Sequence, residues 1–416
     1  MSVQTGTPNV GVRNAIVLSL AQAFNGSIGA IAISLGALGG AWLVPEKLAF
    51  ATLPVATYSA GSAIFAMPVA HLGRKFGRKA SFIIGSLIGI LGAGLAILAL
   101  QKGAFGQQGA FGQQGAFGLF CAGYFLIGGA GAFVQQYRFA AADTGNDKFK
   151  SRAISWVLTG GVLAAFIGTE VVLRTKDLFL PLPFAGAFVG MTGLLLAGIG
   201  VLLFLKPVGH IHISEEAATA HVRRMGEIVT QPVFIVALLC AVASYALMTF
   251  MMTGAPLAMK HHGHSEVEAV LGIRWHVLAM FGPSFFTGAL IVRFGKLPII
   301  AVGLGLLIMC AAVALAGLEL WNFWTSLILL GIGWNFGFIG ATALLGEAYH
   351  DGEKNKVQGL HDFILFSLVA AASLASGATL NSFGWNGIAI VILPVSVLAA
   401  ISLLWLKTIG RIRQRA

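Results

Sequence analysis

The chain has 416 residues, of which 57% are hydrophobic and only 10% charged, at a mean hydropathy of +0.87. Soluble proteins carry about 25% charged residues, so a water-facing globular fold is excluded and lipid must serve as solvent. The net charge of +11 sits in short connectors, which marks membrane orientation and argues against nucleic acid as a partner.

In hydrocarbon every backbone polar group must pair internally, and the apolar runs here are continuous rather than alternating, so an all-α integral membrane protein is predicted. Residues 1–12 lack a basic signal-peptide start and no cleavage site follows the first apolar run, which therefore stays as the first span. Windows of about 20 apolar residues predict twelve transmembrane helices near 13–36, 48–70, 80–100, 118–141, 153–173, 183–205, 232–258, 267–292, 298–317, 321–345, 358–380 and 384–406. The polar segment 206–231 divides the chain into two six-helix halves, 1–205 and 232–416. Between spans three and four, "GAFGQQGAFGQQGAFG" (103–118) repeats a six-residue unit and is expected as an outer loop. Cys121, Cys240 and Cys310 all lie in apolar runs and imply no disulfide framework.

Lys and Arg set the orientation. One family of loops holds Arg74, Lys75, Arg78, Lys79, Lys148, Lys150, Arg152, Arg223, Arg224, Arg293, Lys296, Lys354 and Lys356, and the tail adds Lys407, Arg411, Arg413 and Arg415. The opposite loops hold only Lys47, Lys102, Arg174, Lys176 and Lys260. Both termini are therefore expected in the cytoplasm.

"AHLGRKFGRK" (70–79) and "GALIVRFGK" (288–296) are corresponding loops of the two halves. Both resemble the signature loop of the major facilitator superfamily, through Leu72, Lys75, Gly77, Arg78 and Lys79 and through Gly288, Leu290, Arg293, Gly295 and Lys296. The resemblance implies a twelve-helix transporter of two pseudo-symmetric halves, with Lys75, Gly77, Arg78, Lys79, Arg293, Gly295 and Lys296 in gating loops. Glycines there permit a tight turn, and fixed cations meet helix ends and acids. The motif's Asp is replaced by Arg74 and Val292.

Span seven carries Met248 and Met252 as MxxxM, and span eight carries His276 and Met280 as HxxxM. This pairing resembles the CcoA-type copper importers, which supply copper for assembly of cbb3-type cytochrome oxidase. The resemblance implies copper as cargo rather than cofactor, Met248, Met252, His276 and Met280 as its ligands, downstream copper chaperones as partners, a monomer, and a place in the bacterial inner membrane. A related branch carries riboflavin.

The residues themselves support a metal. Residues four apart share a helix face. Met248 lies about ten residues and His276 about nine from the outer span ends, so both sit roughly 15 Å deep, near the midplane of a ~30 Å core. Thioether sulfur is soft and favours Cu(I), whereas zinc sites use Cys, His, Asp and Glu. Met is also a common apolar filler, and MxxxM alone reads as core ahead of ligand. A mid-membrane His, by contrast, is costly and usually functional. The outer loop "MKHHGHSE" offers Met259, His261, His262 and His264 either for metal capture or as a solvated loop. Candidate proton carriers are Glu170, which also fits the outer interface, and His361 with Asp362; Arg138 with Asp143 fits an inner gate pair or a plain helix-end ion pair equally. No GxxxxGK[ST] nucleotide loop is present, and no enzymatic activity is expected.

The leading expectation is thus a copper importer working by alternating access. The first alternative is an importer of riboflavin or another small organic solute, with Arg274 meeting a negative group and Trp275 stacking. The second is a non-transporting membrane metallosensor or assembly partner.

Overall fold

The computed structural model describes residues 8–105, 110–142, 147–206, 223–350 and 353–415. Asp143 and the stretch with His210, His212 and His221 lie outside them. Helices dominate: α1 Pro8–Asn25, α2 Ser27–Leu43, α3 Leu53–Phe105, α4 Ala110–Gln135, α5 Tyr137–Ala142, α6 Asp147–Thr175 and α7 Ala185–Leu202 form the first half. A short α8, Met225–Val229, precedes α9 Pro232–His261, α10 Glu266–Phe281, α11 Ser284–Phe294, α12 Lys296–Ala316, α13 Leu320–Leu345 and α14 Lys354–Arg415.

Among the described residues, nine helices are long and apolar enough to cross a membrane, ten if the bent pair α10–α11 counts as one. Gly384 (φ 66°) divides the 62-residue α14 into two passes, and α6 is long enough for another. The result is the twelve-pass architecture. Passes two and three are the arms of α3, which turns at Gly77 (φ 80°, ψ 160°). Passes eight and nine turn at Gly295 (φ 88°, ψ 164°). Two matching loops thus use one backbone conformation that side chains rarely adopt. A cation–Phe pair precedes each glycine: Lys75 over Phe76 and Arg293 over Phe294, both at 5.2 Å.

Two stretches depart from the expected spans. Pass eight is broken and bent by 40° between Phe281 and Ser284, because Pro283 lacks an N–H and crowds the preceding turn. The described parts of the GAFGQQ repeat, 103–105 and 110–118, are helical rather than loop: α3 runs to Phe105 and α4 starts at Ala110.

Two large apolar clusters form most of the core, and Val69, Ala132 and Phe133 form a small third. One gathers residues from Ala15 to Leu205 with Val270 from the other half; the second gathers Ile228 to Leu406 with Ala165. Small residues let helices approach, as they do in membranes generally. A Cβ on Gly128 would overlap the Tyr58 carbonyl, and one on Gly303 would overlap the Gly337 backbone.

Candidate functional site: a central cavity between the halves

A cavity of about 150 Å³ lies between the halves, walled by passes one, two, four and five on one side and seven, eight and eleven on the other. Tyr245, Met248, Thr249 and Met252 line it from α9; their spacing of three and four residues puts them on one face. Val277, Met280 and Phe281 line it from α10, the last two just before the break at Gly282–Pro283. Gln22, Tyr58, Ser59, Ser62 and Gln135 face them from the first half, and Phe366 closes the side on pass eleven. No charged side chain appears among the lining residues described.

Three of the four expected metal ligands, Met248, Met252 and Met280, therefore share this cavity. His276 does not line it. It is fully buried, with Nδ1 2.8 Å from the Leu327 carbonyl. A carbonyl can only accept, so Nδ1–H donates and Nε2 carries the lone pair. Nε2 has no hydrogen-bond partner among the described residues. Met251 faces the interior of the second half, with Cys310 Sγ 3.3 Å from its sulfur. No group of three or more His, Cys, Asp or Glu that could hold a metal occurs among the described residues.

The broken pass eight is fixed by a buried polar knot. Asn335 Nδ2 donates to the Met280 carbonyl at 2.6 Å and to Ser284 Oγ at 2.7 Å, and Thr287 Oγ1 donates to Asn335 Oδ1 at 2.6 Å. Carbonyls freed by the bend thereby find donors.

Arg274 is not in the cavity. Its Nη2 reaches Glu170 Oε2 at 2.7 Å, its Nε donates to Thr169 Oγ1 at 2.7 Å, and its guanidinium lies 4.7 Å from the Phe166 ring. The partner of this buried cation is a carboxylate of the protein, which corrects the expectation that it meets a solute. Trp275 is 46% exposed and lines no part of the cavity. The aromatics that do are Tyr58, Tyr245, Phe281 and Phe366. The signal for the missed residues was uncharged polar side chains, Gln22 and Gln135, inside apolar spans.

At the same end of the bundle as Arg274, Lys176 reaches Glu266 at 3.2 Å, and Thr52 Oγ1 accepts from Gly377 N–H at 3.1 Å. These contacts also join the two halves. Beyond them lies a vestibule of about 820 Å³, which His261 and His262 line. Met259 is fully buried, and His264 Nε2 meets the Leu318 carbonyl at 2.9 Å, so the four candidate capture residues do not converge. Burial, then repulsion from His261 and His264, lowers the pKa of His262.

At the opposite end, His361 Nδ1 is 3.0 Å from Asp362 Oδ1, and Arg138 lies within electrostatic reach of Asp362 and of cavity-lining Tyr245. Lys79 Nζ donates to the Leu203 carbonyl, and Lys296 pairs with Glu347 at 2.6 Å.

The family model of the Major Facilitator Superfamily matches residues 14–373. The chain belongs to this superfamily. It is 43% identical over 392 residues to the riboflavin transporter RfnT of Brucella anthropi, covering 94% of this chain and 95% of that one. It is also 31% identical to an uncharacterized transporter of the superfamily, YddS of Bacillus subtilis, over 92% and 89% of the two chains. In fold it resembles a D-xylose–proton symporter (TM-score 0.71, 13% identity, 95% and 96% covered) and a bacterial ferroportin homologue in its inward-facing state (TM-score 0.66, 14% identity, 94% and 98% covered). This superfamily member is a multi-pass membrane transporter and not an enzyme. RfnT is named for riboflavin rather than copper, which favours the small-solute alternative over the copper reading.

Proposed function

We propose that this transporter imports riboflavin or a closely similar planar, uncharged heteroaromatic solute across the bacterial inner membrane. The observation that carries the reading is the cavity lining: two amides, several hydroxyls and four aromatic rings, with no charged side chain among the lining residues described. Stacking on aromatic faces and hydrogen bonds from amides and hydroxyls suit a flat ring system bearing polar edges and a hydroxylated chain. The relation to a riboflavin transporter over 94% of the chain supports the same cargo. The halves 1–205 and 232–416, joined by 206–231, rock about this cavity in alternating access, with both termini and the basic loops cytoplasmic. The vestibule end then faces outward, and the contacts joining the halves there belong to a state closed to the outside. Proteoliposomes holding the protein are expected to take up radiolabelled riboflavin, and unlabelled riboflavin, not copper, to compete. Copper uptake indifferent to riboflavin would overturn the assignment.

One observation favours a second reading. Met248, Met252 and Met280 line one cavity, and His276, one helical turn before Met280, is a buried imidazole whose Nε2 is unpartnered among the described residues. Metal-ligating His commonly donates its other ring N–H to a carbonyl, as His276 does to Leu327. On this reading Cu(I) is the cargo, handed to chaperones of oxidase assembly. A metallosensor would bind copper in the same assay without net flux.

A further inference from the structure

The vestibule is several times larger than the central cavity and is separated from it by a plug of buried residues. From Met252 to Leu257 on α9 is five residues, and from Val369 to Gly377 on α14 is eight, so the plug is roughly 8–12 Å thick. Buried Leu35, Ala255 and Ser376 lie within it.

The vestibule walls are built for a particular chemistry. Trp42, Phe184, Phe383 and Trp385 present aromatic surface from three separate segments of chain. Phe184 is the one non-glycine residue at positive φ (67°) among the described residues, yet its ring is buried against this cavity. A bulky residue held in that conformation is often placed by function. Trp385 is 2% exposed, and its indole N–H has no hydrogen-bond partner among the described residues. Asn381 and Asn386 add two amides. The charges in the wall are already matched: Lys176 pairs with Asp177 and Glu266, and Lys260 with Glu266. Rings, amides and internally neutralised charge repeat the character of the central cavity and suit an uncharged ligand.

We propose that this vestibule is a second binding site for the same planar heteroaromatic solute, occupied while the passage to the central cavity is shut. The inference rests on the reading of the cargo given above. A solute held here stands within about 12 Å of the inner site, so separation of the halves delivers it without a new encounter from bulk.

The test is equilibrium binding of riboflavin to the full-length protein in lipid nanodiscs, read by quenching of its fluorescence and by dialysis. Two binding classes per chain are expected. The double substitution Phe383→Ala/Asn386→Ala should weaken one class roughly tenfold, the range of losing one stacking partner, and leave the other. Phe383 is 74% exposed and Asn386 is also exposed, so neither change disturbs packing. Phe281→Ala should affect only the second class. A single class insensitive to the vestibule substitutions overturns this site while sparing the central one. A single class lost with them and untouched by Phe281→Ala keeps the vestibule and removes the central assignment. No riboflavin binding at all removes both.

Discussion

Arg274 on pass eight and Glu170 on pass five meet at 2.7 Å, 104 residues apart in sequence, and so tie one half of the transporter to the other. Their side chains are 12% and 30% exposed, and Glu170 also accepts from Arg174 at 2.6 Å. With Lys176–Glu266 and Thr52–Gly377, this pair latches the vestibule end. A half-buried pair broken by removing one partner costs on the order of 1–2 kcal/mol, roughly a five- to thirtyfold change in an equilibrium. Glu170→Gln should therefore favour the state open at the vestibule. Ser376→Cys, inside the plug, offers a reporter, because Cys121, Cys240 and Cys310 are all buried. A membrane-impermeant maleimide should label that cysteine faster when Glu170→Gln is also present. Equal rates would show that the latch lies elsewhere.

The two cargo readings separate at His276 and Phe281. If riboflavin is carried, Phe281→Ala should lower its uptake by about five- to a hundredfold through lost stacking, about 1–3 kcal/mol. His276→Ala, off the cavity, should mainly lower thermal stability. If copper is carried, His276→Ala and Met248→Ala should abolish copper uptake, with membrane insertion intact. Measuring both cargoes in the same three variants decides between them.

Much of the architecture was legible because the bilayer imposes it. Apolar run length gave the passes, and the two basic loops with Gly77 and Gly295 gave the repeat. The break at Pro283 was masked by the apolar run around it. Spacing placed Met248 with Met252 and His276 with Met280, since four residues nearly complete a turn. It could not say which neighbour each face meets. His276, 40° around the helix from Met280 by ideal geometry, turns to Leu327 on pass ten instead of into the cavity. Arg274 and Glu170 each stood out as ionisable groups within spans, but their pairing depends on how the halves dock, which no local pattern encodes.

Asn335 is expected to act on transport through pass eight. It is fully buried and makes three bonds, two of them to the segment carrying Met280 and Ser284. Asn335→Ala leaves the Met280 carbonyl and the Thr287 hydroxyl without that partner. A loss of about 1–3 kcal/mol is expected, seen as a lower melting temperature in detergent. Because Met280 and Phe281 shift with the bend, solute affinity should fall as well. Unchanged affinity in the folded fraction would limit Asn335 to a structural role.

The two loop glycines make a paired prediction. Gly77 and Gly295 hold φ near 80–88° with extended ψ, a region essentially reserved for glycine. Gly77 has no neighbour within 4 Å of an added Cβ, and Gly295 meets only Pro298 Cδ, at 3.8 Å. Any cost of Gly77→Ala or Gly295→Ala is therefore conformational, about 1–3 kcal/mol each. Similar losses in melting temperature from both variants are expected, whereas a crowded site would make them unequal.

The last prediction concerns pH and the point where the segment 206–231 rejoins the bundle. Arg223 grips Glu353 with Nε at 2.8 Å and Nη2 at 2.6 Å, and its backbone N–H adds a third bond at 2.9 Å. The N–H of His350 gives Glu353 another at 2.9 Å. The Arg223 bond first, and then the His350 N–H, hold the Glu353 carboxyl far below the usual carboxylate range. A folded pKa below the unfolded one means the unfolded chain binds more protons on acidification. The stabilisation is thus complete above about pH 4.3, the unfolded value, and drains away as pH falls below it. Melting temperature measured between pH 7 and pH 3 should drop on the acid side in the native protein. Glu353→Gln should melt lower at pH 7, because the ion pair is gone, and show a shallower acid slope. Parallel slopes would mean that Glu353 is not the titrating group and that the clamp contributes nothing to acid sensitivity.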